Sequence, residues 1–166
     1  MISGETIAVL DVGTARVKIW LGTPNDDGCI VLQRRTVEVA RSSQQDPKNR
    51  NVPSYDNALR DAIEVAEDGG ATRAIAVATE AFRSGENAGA LAVLERAGLA
   101  PRILSGAEEG WLFFVGVSDV FGTTRDLLAL DIGGGSVQLI WEEDGSVSSR
   151  SLGIGTFALE RRFGPL

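Results

Sequence analysis

Short apolar stretches broken by polar turns fill the first forty positions, and their spacing predicts three strands over residues 6–40. "TIAVL" runs into the turn "DVGTA", and "VKIWLG" follows. After a second turn, "TPNDDG", comes "CIVLQRRTVEVA", whose later half alternates apolar and polar. Strand, turn, strand, turn, strand is an antiparallel meander. Residues 41–54, "RSSQQDPKNRNVPS", hold two prolines and no period, which predicts a surface loop. The period then lengthens. Ser54 stands as an N-cap, Leu59, Ile63 and Ala66 share one helical face, and Asp68-Gly69-Gly70 ends the helix. "TRAIAVAT" (72–79) reads as a buried strand. A second helix shows Leu91, Leu94 and Ala97 as its core face and closes at Gly98. A short strand in "APRILSG" and a third helix in "AEEGWLFFVGVSDVF" complete the rhythm. Alternating strands and helices call for an α/β fold, a mixed sheet with helices on both faces.

Late in the chain the opening pattern returns. "LALDIGGGSVQLIW" (128–141) restates "IAVLDVGTARVKIW" (7–20): apolar strand, Asp, apolar residue, Gly, small residues, apolar strand, Ile-Trp. A hairpin, "QLIWEEDGSVSSRSL", and the start of a helix, "GTFALERRF", follow. The chain therefore divides into one β-β-β-α-β-α-β-α unit over residues 1–124 and the beginning of a second over 125–166. A second unit of equal size would need roughly a hundred residues or more. The expectation is the N-terminal part of a longer protein, weakly active or inactive alone.

A strand that ends in Asp and reverses through glycines can aim several backbone N–H groups at one spot, because no Cβ blocks approach. Such a turn cradles phosphate, and the neighbouring Asp can hold Mg²⁺. Gly133, Gly134, Gly135 and Ser136 would form one cradle, Gly13 and Thr14 the other, with Asp131 and Asp11 beside them. Glycine and Asp also make ordinary hairpin turns. Three consecutive glycines between strong strands, and the pairing of two such turns, favour the phosphate reading. Neither turn is a Walker A loop or a Rossmann glycine pattern.

Composition narrows the chemistry. The chain has no histidine, which removes Ser-His and Cys-His mechanisms and histidine-ligated zinc or iron. Catalysis must run on carboxylates, hydroxyls, backbone amides and hard metal ions. The single cysteine, Cys29, excludes an internal disulfide and a cysteine metal cluster. A net charge of −7 argues against a nucleic-acid-coating surface. No run reaches membrane-span length, and "MISGETIAVL" lacks a signal-peptide pattern, so a cytoplasmic protein without a membrane partner is expected.

Four stretches carry a more specific likeness: "AVLDVGTARVKIW", "AVATEAFRSGEN", "ILSGAEEGWLFFVGV", and "LLALDIGGGSVQLIW" followed by "SRSLGIGTFALERRF". In this order they resemble the N-terminal part of the exopolyphosphatase and guanosine pentaphosphate phosphohydrolase family, within the actin-like ATPase superfamily of ribonuclease H-like lobes. The resemblance implies two lobes around a Mg²⁺-dependent cleft that cleaves terminal phosphoanhydrides of polyphosphate or guanosine pentaphosphate. A homodimer of the full-length protein is compatible with it. Asp131, helped by Asp11, would carry the metal. Gly13, Thr14, Gly133, Gly134, Gly135, Ser136 and Gln138 would contact phosphate. Arg83 matches a family arginine near the phosphate. "SGAEEG" offers two acids. Ser105 and Glu108 have capping-box spacing, which leaves Glu109, the acid the family pattern favours, as the base that activates water.

The chain also departs from the family pattern. Ala15 and Arg16 stand where Asn and Ser usually follow the first turn, and Val137-Gln138 where the family has Thr-Glu. Those departures support an alternative, a non-catalytic nucleotide- or phosphate-binding module. A phosphotransferase of the same superfamily is a further alternative, against which "SGAEEG" speaks because sugar kinases lack it.

Overall fold

The computed structural model describes residues 5–26, 28–38, 54–83, 88–122 and 127–164. The chain forms a five-stranded and a three-stranded sheet. In the first, β1 (Ile7–Val12), β2 (Arg16–Asn25) and β3 (Gly28–Glu38) make the expected antiparallel meander. The second turn is shorter than "TPNDDG" suggests, because β2 continues through Thr23, Pro24 and Asn25. β1 pairs with β2 only as far as Gly22, so beyond that point β2 has a neighbour on one side alone. A proline is tolerated on such a free side.

Residues 39–53, which include most of the expected surface loop, lie outside the described residues. Ser54 caps α1 (Tyr55–Asp68), its hydroxyl accepting the Asn57 N–H at 3.4 Å, and Gly70 leaves the helix at φ 68°. β4 (Arg73–Ala78) runs parallel to β1, and the two-residue β5 (Arg102–Ile103) parallel to β4. Between them lie α2 (Glu80–Arg83) and α3 (Ala88–Arg96). Ala97, expected on α3's core face, falls beyond its end and is exposed.

One core holds this sheet to its helices. Ala8, Leu10 and Val12 alternate along β1, and Val17, Ile19 and Leu21 along β2. They meet Leu59 and Ala62 from α1 and Val93 and Leu94 from α3. Each large side chain so buried contributes about 1.5–3 kcal/mol.

The second sheet runs β6 (Leu128–Ile132), β7 (Val137–Glu143), β8 (Ser146–Leu152), all antiparallel. Asp144 and Gly145, at φ 51° and 74°, make the tight turn that an Asp-Gly pair favours. α4 (Gly106–Phe121) packs on β8 and β7, its Phe114 meeting Ala129 and Ile140. A Cβ at Gly110 would stand 2.7 Å from Ser149 Cβ, so glycine lets helix and sheet approach. α5 (Thr156–Phe163) follows β8. Among the described residues no helix is long and apolar enough to cross a membrane.

Candidate active site

The two acid-glycine turns are the same turn. In each, the first glycine's N–H donates to the carbonyl three residues on: Gly13 to Arg16 and Gly133 to Ser136, both at 2.9 Å. The hairpin registers match as well. Asp11 faces Lys18 across the first, and Asp131 faces Gln138 across the second. Where the sheets meet, the turns touch. A Cβ on Gly134 would lie 3.1 Å from Ala15 Cβ; one on Gly135 would lie 3.0 Å from both Thr14 Oγ1 and Glu80 Cγ. Side chains at 134 and 135 would press on the facing turn, so glycine lets the two turns come this close.

α5 fixes the second turn from behind. The N–H groups of Gly155, Thr156 and Phe157 donate to the carbonyls of Gly135, Gly133 and Gly134 at 3.2, 3.0 and 2.8 Å. In a planar trans peptide the N–H points opposite its carbonyl. The N–H groups of Gly134, Gly135 and Ser136 are thereby turned away from α5. Gly133, whose N–H closes the turn, shapes the cradle instead of donating from it.

Asp11 accepts a hydrogen bond from Lys18 Nζ at 3.0 Å. Asp131 is half-buried. Burial pushes its carboxyl above the usual range; Lys18 opposes that rise and the charge of Asp11 adds to it. Two carboxylates that repel each other, beside a glycine cradle, suit Mg²⁺, which commonly takes one or two carboxylates and keeps several waters. No cluster of three histidine, cysteine or acidic side chains occurs among the described residues, so no all-protein metal cage is present there.

The two acids of "SGAEEG" separate as capping geometry requires. Ser105 Oγ accepts the Glu108 N–H, while Glu108 Oε2 accepts the Ser105 N–H at 2.8 Å. These bonds, with Arg102 on the other oxygen, draw the Glu108 carboxyl down to about 2. Glu109 points elsewhere. Its Oε2 accepts from Arg83 Nη1 at 3.0 Å, and its side chain is only 17% exposed. Burial raises its carboxyl above the ordinary value, against the pull of Arg83.

Gln138 lies beside Glu109 at 1% exposure, near enough to ease that rise. Neither of its amide atoms, however, reaches hydrogen-bond geometry with a chain atom. A buried amide without a partner is costly, and it marks a place where a water or ligand atom belongs. Ser136 is buried as well.

Four participants escaped the sequence reading. Lys18 was readable from the hairpin register, since a turn closing between Gly13 and Arg16 sets position 18 opposite Asp11. Glu80 gives Arg83 a carboxylate partner at 2.5 Å, the i,i+3 spacing of one helical turn. The Leu104 carbonyl accepts from Arg83 Nη1 at 2.6 Å, a contact between distant segments with no local signal. Gly155, the cap of α5, is buried against the second turn, and only the tertiary contact shows its role. Thr79 is buried close to Gly13; Asn87, of the same motif, lies outside the described residues.

Among solved structures, an exopolyphosphatase from Cytophaga hutchinsonii is 24% identical with a TM-score of 0.76, over 96% of this chain and 54% of that one. The Aquifex aeolicus member of the Ppx/GppA family is 22% identical, with a TM-score of 0.68 over the same shares. A protein described as exopolyphosphatase-like is 25% identical, with a TM-score of 0.76 over 96% of this chain and 53% of its own. The chain thus has the fold of these proteins, a mixed-sheet actin-like lobe and the opening of a second, and spans about half their length. No curated protein matches it. Residues 32–165 match the model of the Ppx/GppA phosphatase family, and with that match, over a chain carrying both glycine turns, the protein belongs to this family.

Proposed function

We propose that the protein is a Mg²⁺-dependent phosphohydrolase that releases the terminal phosphate of inorganic polyphosphate or guanosine pentaphosphate. In this reading it is cytoplasmic, and the chain passes from the first lobe to the second near residue 125, with α4, before that point, already packed on the second sheet. The observation that supports the reading is convergence. Asp11, Thr14 and Arg83 from the first sheet's side meet Asp131, the triple glycine and Glu109 from the second's. Two of the structural relatives, an exopolyphosphatase and an exopolyphosphatase-like protein, point the same way.

Asp131 and Asp11 would hold the magnesium ion, which supplies positive charge against the phosphate oxygens when bound. The N–H groups of Gly134, Gly135 and Ser136 donate to a non-bridging phosphate oxygen, already fixed in direction by α5 and needing little reorganisation. Arg83 neutralises a further oxygen. Glu109, whose burial moves its carboxyl toward neutrality, takes a proton from the water that attacks the terminal phosphorus in line. The Gln138 amide orients that water or a phosphate oxygen. It cannot replace the acid usual at this place as a base or anionic ligand, so Glu109 alone carries the proton.

Glu109→Gln tests the assignment. In the active form of the protein it should lower kcat roughly 10²–10⁴-fold, the usual worth of a general base, and leave tripolyphosphate binding intact. More than about a tenth of kcat retained would remove Glu109 as the base. Unaltered polyphosphate binding by a wild-type protein that never turns over would favour the non-catalytic reading, which Gln138 supports.

A further inference from the structure

The Arg83 guanidinium has two edges, and each has an acid on it. Its Nη1 spans Glu109 Oε2 at 3.0 Å and the Leu104 carbonyl at 2.6 Å. Its other edge, Nε with Nη2, is the fork that receives a phosphate or carboxylate bidentately. That fork grips a single oxygen, Glu80 Oε2, at 3.1 and 2.5 Å. Glu80 also reaches the glycine cradle. Its Cγ would stand 3.0 Å from a Cβ on Gly135, beside Thr14 Oγ1 of the facing turn.

The carboxylate thus fills the fork of Arg83 while its methylene lies against Gly135 of the cradle, with 43% of the side chain exposed. From this placement we infer that Glu80 is a resident anion that stands in for phosphate in the closed site. It determines affinity, because an incoming phosphate must displace its carboxylate from Arg83 and move its methylene from the face of Gly135. The inference rests on the phosphate-cleft reading above.

The physical consequence is a threshold. The closed arrangement is stabilised by an internal charge pair that ligand binding breaks, so affinity is reduced by the fraction of time the fork is occupied. A lone phosphate exchanges one anion for another on Arg83 and gains little. A linear polyphosphate also meets the second turn's amides, so it gains the additional contacts that displace Glu80. Glu80 accordingly weakens both ligands by the same factor, and a chain of phosphates overcomes it with its additional contacts.

The test is calorimetric titration of this chain with tripolyphosphate and with inorganic phosphate, without divalent ions. The proteins compared are wild type, Glu80→Gln, Glu80→Ser, Arg83→Gln and the Glu80→Gln/Arg83→Gln double variant. Both Glu80 variants should bind inorganic phosphate about fivefold more tightly than wild type, the worth of a half-exposed charge pair. Tripolyphosphate should gain by a similar factor, and both gains should vanish on the Arg83→Gln background. Unchanged or weaker phosphate binding in a folded Glu80 variant would overturn the inference, as would an equal gain without Arg83. If tripolyphosphate binds wild type and loses affinity in Arg83→Gln while Glu80→Gln gains nothing, the cleft reading stands and only Glu80's role falls. If no variant binds either ligand, both fall.

Discussion

Asp11 and Asp131 hold equivalent places in two matching hairpins, but the residue opposite each differs. Lys18 neutralises Asp11 at 3.0 Å; Gln138, opposite Asp131, is neutral and its amide is unsatisfied. Asp131 is consequently the carboxylate with most to gain from a cation; burial, against the charge of Lys18 and with that of Asp11, raises its carboxyl above the ordinary value. Asp131→Asn should therefore weaken Mg²⁺ binding roughly tenfold more than Asp11→Asn, since outer-sphere partners alone are worth about 10–100-fold at metal sites. Calorimetric Mg²⁺ titration in the presence of a phosphate ligand measures both. Equal losses would contradict the asymmetry.

At the scale of elements, each helix start near the site has a task that can be measured. α4 begins with the Ser105–Glu108 capping box, and the folded carboxyl of Glu108 lies near 2, below its ordinary 4.5. A carboxyl depressed on folding stabilises above its unfolded value, and that stability is lost as pH falls through the window from 4.5 to about 2. Glu108→Gln should melt lower than wild type at neutral pH, with the gap between their thermal midpoints closing across that window. A gap constant with pH would mean that the ionised cap contributes nothing. α5 begins at Gly155, where a Cβ would come within 2.5 Å of backbone atoms of Gly134, Gly135 and Ser136. Gly155→Ala should cost at least about 2 kcal/mol, as overpacking against a rigid backbone does. Gly153→Ala, two residues away in open space, should cost little; equal thermal shifts in the two would refute the contact.

The elements themselves were largely legible, because period two and period 3.6 report directly on which face is buried, as along β1 and α1. The repeated turn and the capping box were also visible as local spacing. Less legible were β2's extension through Pro24, which depends on where its neighbour ends, and the one-turn helix α2. The α5 brace on the second turn and the Glu80–Arg83–Glu109 chain join segments distant in sequence. No local pattern encodes them.

For the molecule as a whole, the sheets matter less for their separate cores than for the line along which they meet. The first sheet's α1–α3 face is closed by its own core, whereas the second sheet shows α4 on one face and leaves Leu128, Leu130 and Ile132 of β6 more than half exposed on the other. Exposed apolar strands of this kind mark surfaces that other structure covers. The chain spans about half the length of its structural relatives. The central claim is that the meeting line is a metal-assisted phosphoanhydride cleft. The measurement that tests it most directly is phosphate release by the protein in its active form from polyphosphate, guanosine pentaphosphate and ATP, each with and without Mg²⁺. Terminal phosphate should be released from polyphosphate or guanosine pentaphosphate, and removing Mg²⁺ should abolish the release. Release indifferent to Mg²⁺, or phosphate passed from ATP to an acceptor and not to water, would contradict it.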